Sequence, residues 1–226
     1  MNNYKLAKDA MKSQEYDNAE KLFLTTIYEA SINKNILVDD LSRSQIIHSL
    51  KYLAQNIYPL ISNRKESINK FYEVWSNKSP DVALGYVYFL GGENNFQEAL
   101  KQLHKIKNVY FDEFVFILAT LIMQDGIPGT RHIEAAFLYK YCQEWGNRSE
   151  QAIKRLKLVL EKLNDLERNE VKLIDSDNLK VRVDNTINNI YSEPHLCAEL
   201  NKEGFYIKNI KEELLDLVGF KSDEEE

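Results

Sequence analysis

The stretch Ser79–Leu103, SPDVALGYVYFLGGENNFQEALKQL, decides the fold class. Ser79 is a natural N-cap, and Pro80 occupies the first helical position, where its missing N–H costs nothing. The run VALGYVYFL continues without a polar break to Gly91-Gly92, a pair suited to the left-handed conformation that closes a helix. A second helix is expected from about Phe96 to Lys107, with Phe96, Ala99, Leu100 and Leu103 inward. Helices joined by so short a link lie antiparallel. The stretch is a helical hairpin with a small-residue pair, Leu84-Gly85, near its centre.

The same pattern extends to both sides. Upstream, Leu6, Ala7, Ala10 and Met11 recur at helical spacing, and Ala19, Leu22, Phe23, Thr26 and Ile27 do so after the break Ser13–Asp17. A looser pair follows: Ile46, Ile47, Leu50, Leu53, Ala54 and Ile57 form a stripe ended by Pro59, and Ile68, Phe71, Tyr72 and Trp75 form the next. Downstream, a helix is expected from Asp112 to Gly126, and Thr130 is placed to cap its partner, which closes at Gly146. Ser149 opens a longer helix to about Leu166, with Ile153, Leu156, Leu160 and Leu163 as its apolar stripe. That stripe fits the last helix of a stack, or a seam for a second copy. Beyond Glu170, VKLI and LKVRV alternate around Asp175-Ser176-Asp177-Asn178, which suits either a small hairpin or continued helix. Ser192 and Pro194 mark a short helix that Gly204 ends, and Ile210–Val218 is a final amphipathic helix.

Composition agrees with few, long elements. Glycine and proline number 8 and 4 in 226 residues, about 5% against roughly 12% in average chains. The formal charge is −6, but Asp223–Glu226 supply four of the 35 acids, leaving 31 against 29 bases in the body. Seven of those bases are arginine, the residue favoured for bidentate phosphate contacts, so nucleic-acid binding is disfavoured. Cys142 and Cys197 are too few for a disulfide framework or a zinc site. The longest apolar run, Phe114–Met123, is half a membrane span. With no apolar leader at the N-terminus, the expectation is a cytoplasmic chain without membrane insertion.

Spacing reveals a repeat. Leu84-Gly85 and Leu118-Ala119 are small-residue pairs 34 residues apart on first helices, and Ala99 and Ala135 lie 36 apart on second helices. A small side chain at these places lets paired helices approach closely, and 34 to 36 residues is a solenoid period. The chain here resembles the tetratricopeptide repeat family and its Sel-one-like relatives. EYDNAEKLF, Glu15–Phe23, is similar to the turn and second helix of a tetratricopeptide repeat, with Leu6 and Ala7 in the Leu-Gly-like places. ALGYVYFLGG, Ala83–Gly92, and GIPGTRHIEAAFLYKYCQEWGN, Gly126–Asn147, resemble Sel-one-like segments. The resemblance covers about residues 3 to 147; Ala119 departs from the family's glycine, and the pair over Asp40–Asn77 barely matches.

The expected fold is thus all-α: a right-handed α-solenoid of about four antiparallel helix pairs over residues 1–168, a C-terminal cap with a possible small hairpin over 169–220, and an acidic tail over 221–226. The resemblance implies a concave face, lined by first helices, that binds a protein or peptide. Carried onto this chain, that face comprises Tyr4, Lys8, Met11, Val82, Tyr86, Phe89, Phe116, Thr120 and Met123. Tyr4 and Lys8 replace the lysine and asparagine pattern with which some tetratricopeptide proteins clamp a terminal carboxylate. The first helix FVFILATLIM is apolar on every side and calls for cover from the tail or from a partner.

The expected function is a non-catalytic adaptor or scaffold. The alternatives are a peptide-sensing regulator or an immunity-type antagonist, and an enzyme with an unrecognised helical pocket built from Tyr139, His132 and Glu134. Homo-oligomerisation stays open. No metal or cofactor is expected: His48, His104, His132 and His195 are scattered, no phosphate-cradling loop is present, and neither serine nor cysteine sits in a nucleophile elbow.

Overall fold

The computed structural model describes residues 3–32, 40–61, 65–124 and 132–200. Eleven α-helices account for most of them, and no strand occurs among the described residues. The chain divides into two compact units, Met1–Phe89 with Leu200–Glu226, and Leu90–Glu199.

The first unit holds α1 (Asn3–Lys12), α2 (Tyr16–Ile32), α3 (Asp40–Tyr52), a π turn (Leu53–Ile57), α4 (Lys65–Trp75) and most of α5 (Pro80–Gly92). Helices α1 and α2 form a hairpin closed by Gln14 at φ 62°, with Gln14 N–H donating to Met11 O (3.1 Å) and Glu15 N–H to Ala10 O (2.9 Å). Ala7 and Ala19 are fully buried, as close approach of the two helices requires.

The π turn has a specific cause. Pro59 has no N–H, and its ring clashes with the carbonyl four residues back, so the helix must end there. Tyr58 N–H bonds Leu53 O (2.9 Å) and bypasses Ala54 O, which Pro59 cannot satisfy either. The Tyr72 hydroxyl, on α4, fills that acceptor at 2.7 Å. Gly85 of α5 packs against the same place: a Cβ built there meets Ala54 O at 2.5 Å. Tyr72 stacks on Tyr86 with ring centroids 4.6 Å apart, and Tyr58, Phe71 and Phe89 complete an aromatic core.

The second unit holds the end of α5, α6 (Phe96–Ile106), α7 (Phe111–Ile122), α8 (His132–Trp145), α9 (Ser149–Leu160), α10 (Asp165–Leu173), α11 (Ser176–Ile190) and a 3-10 turn at Pro194–Leu196. The turn into α6 repeats the α1–α2 turn, bond for bond: Asn94 takes φ 58°, Asn94 N–H donates to Gly91 O (3.2 Å) and Asn95 N–H to Leu90 O (2.9 Å). Gly91 and Gly92 remain helical, so the left-handed residue is Asn94 and not the glycine pair. Asparagine tolerates this conformation because its short polar side chain bonds locally. Helix α7, apolar all round, lies against α6 and α8, with the Tyr191 ring 6.0 Å from Phe114.

One reading changes in this unit, and one open alternative is decided. Helix α9 ends at Leu160, and Asn164 starts α10 with a capping box, its side chain accepting from Glu167 N–H (3.0 Å) while Glu167 accepts from Asn164 N–H (3.1 Å). The buried stripe of α9 is Ala152, Leu156 and Val159; Ile153 points outward. The candidate hairpin is helical: Asp175 caps α11, accepting from Asp177 and Asn178 N–H (3.1 and 3.0 Å), and Leu179, Val183, Thr186 and Ile187 form the buried face. Of the two alternatives, hairpin or helix, the chain takes the helix, and the polar quartet supplies its N-cap, a role these residue types fill as well as a turn. The Thr130 cap, the Gly204 stop, the helix at 210–218 and the tail at 223–226 lie outside the described residues.

Candidate binding surface

The nine residues expected on a concave face are placed in both units. In the first, Tyr4 and Lys8 are half-buried on α1. The Lys8 ammonium lies 5.7 Å from the Tyr4 ring centroid and 5.8 Å from that of Tyr52, while Tyr4 meets Phe23 edge-on at 6.1 Å. Met11 is half-buried. Val82, Tyr86 and Phe89 are buried, the last two in the aromatic core around Tyr72. In the second unit Phe116 is buried beneath Arg148 and against Tyr139, and Met123 is half-buried. Thr120 donates to Phe116 O (3.0 Å) and meets the Tyr139 hydroxyl at 3.1 Å. Four of the nine, Val82, Tyr86, Phe89 and Phe116, are thus buried by the chain itself and act on a partner only through what covers them.

The exposed apolar side chains are elsewhere. Among the described residues eight large hydrophobics are exposed, and six of them, Trp145, Ile153, Leu158, Leu166, Leu173 and Val181, fall between the end of α8 and the first half of α11. Leu166 and Leu173 are the extreme case at 83% each. Seven residues apart, they share one face of α10, and Val171, buried, is on the opposite face. Val181 stands likewise opposite the buried Leu179 and Val183 on α11.

These leucines are presented by a rigid helix. Beyond its capping box, α10 is pinned by Arg168, whose Nε donates to Leu160 O (3.0 Å) and whose Nη2 donates to Leu163 O (2.8 Å). Glu170 pairs with Arg182 of α11 at 2.5 Å, and Lys140 of α8 donates to Lys172 O (3.3 Å). Five anchors fix which way α10 faces. The capping signature Asn164-Asp-Leu-Glu167 is legible in the sequence and marks the break that the α9 stripe conceals.

The chemistry-bearing groups are dispersed. His132 and Tyr139 are seven residues apart on α8, a rise of about 10 Å, and Glu134 leaves on the other side, so the three do not converge. Among the described residues no three His, Cys, Asp or Glu side chains are grouped to hold a metal ion. The sequence reading missed Lys105, buried on α6 and bonded to Gln102 Oε1 (2.5 Å); burial holds its amine down to about 8, with Glu98 pulling the other way. Burial also pushes the Cys142 thiol up to about 12, reinforced by Asp112 and Glu113, whereas Cys197 is exposed. In the native chain N-ethylmaleimide is therefore expected to label Cys197 within minutes and Cys142 only after denaturation. Peptide mass mapping checks this, and equal labelling of both thiols would contradict the packing around α8.

No described helix is long and apolar enough to cross a membrane. Comparison with known proteins finds no matching family model, no matching curated protein and no matching solved structure.

Proposed function

We propose that this chain is a non-catalytic protein-binding module, an adaptor or scaffold, whose docking surface is the outward face of α9–α11. The observation that carries the reading is the pair Leu166 and Leu173, each 83% exposed on a helix held in place at both ends. Isolated exposed leucines are ordinary. Five large apolar side chains on three consecutive helices, two of them almost fully solvated, with Trp145 at the end of the helix before them, are what a partner would cover. Burying the two leucines alone is worth about 3 kcal/mol or more.

The matching turns at Gln14 and Asn94 support the repeat resemblance, and with it a solenoid in which helix pairs are stacked. The tetratricopeptide-like reading places the binding face on first helices; the exposed side chains favour the C-terminal helices instead. Tyr4, Lys8 and Met11 on α1 remain the accessible part of the first-helix face.

The test is a crosslinking comparison. A photoreactive amino acid is placed at position 166 or 173, and another at position 4, in the source cell. A discrete crosslinked partner is expected from α10. The variant Leu166→Lys/Leu173→Lys is expected to stay within about 0.5 kcal/mol of wild type in stability, because neither side chain packs on the body. It should nonetheless lose the partner. Crosslinks from position 4 alone would return the site to the first-helix face.

A further inference from the structure

We draw no further inference here: the strongest candidate, the outward face of α10 with Leu166 and Leu173, belongs to the docking surface already proposed, and nothing in the structure shows what covers it.

Discussion

Gly85→Ala is expected to destabilise the first unit by about 3 kcal/mol, the cost of overpacking a site that has no room to adjust. Helix propensity alone predicts the opposite sign, a gain of about 0.5 to 1 kcal/mol on replacing a mid-helix glycine. Geometry decides between them. The added methyl would lie 2.5 Å from Ala54 O, 2.6 Å from Ala54 C and 2.8 Å from Ala54 Cβ. Two of those atoms are backbone of the π turn, and Ala54 O is already held by Tyr72. Neither can withdraw without breaking that bond. Gly92→Ala is the control: nothing lies within 4 Å of its Cβ, and it is expected to be neutral or mildly stabilising. Urea denaturation followed by circular dichroism reads both. A stable Gly85→Ala would mean that α5 does not pack on the π turn as described.

Tyr191→Ala is expected to cost about 4 kcal/mol in the second unit, the range for removing a large buried ring. The Tyr191 ring lies 4.7 Å from that of His104 and 6.0 Å from that of Phe114, and its hydroxyl donates to Leu100 O at 3.0 Å. Burial also raises its pKa well above the usual tyrosine range, so the hydroxyl stays protonated while the unit is folded. The segment that follows depends on this ring. The Cys197 thiol donates to Tyr191 O (3.3 Å), and Ala198 N–H reaches His104 Nδ1 (3.1 Å). Tyr191→Phe keeps the ring and loses one neutral hydrogen bond, an expected cost of about 1 kcal/mol. Hydrogen exchange of α6 and of residues 191–199 should therefore rise steeply for the alanine variant and slightly for phenylalanine. Equal effects of the two substitutions would assign the stabilisation to the hydroxyl and not to the ring.

The helices themselves were legible in the sequence because their signals are local. Pro80 opens α5, Pro59 closes α3 and its π turn, and Asn95 caps α6 by accepting from Glu98 N–H (3.5 Å). The small residues singled out for close packing, Ala99, Ala119 and Ala135, are all fully buried, and Gly85 lies in backbone contact. A small side chain at a helix crossing is demanded by distance alone, whichever neighbour arrives.

The candidate site was far less legible. Tyr86 and Phe89 were read as groove anchors because they share a face, but period 3.6 says which residues point the same way and not what covers them. Tyr72 covers them. Ile153 was read as inward because its apolar stripe fits the spacing of Leu156 and Leu160. The stripe beginning at Ala152 fits equally, and a small alanine buries more closely against α8.

The sequence by itself determined helix content, most helix boundaries and the positions where helices must touch, since capping, proline and side-chain size act within a turn or two. Only the tertiary structure decided which face of each helix is solvated. Leu166 and Leu173 would serve as core residues on any isolated reading of α10. They face outward because Arg168 ties the helix to two carbonyls at the end of α9, and Val171, on the opposite side, is the residue buried. These two bonds and the burial of Val171 set the orientation of α10, and they leave on the surface the features from which a binding role is argued.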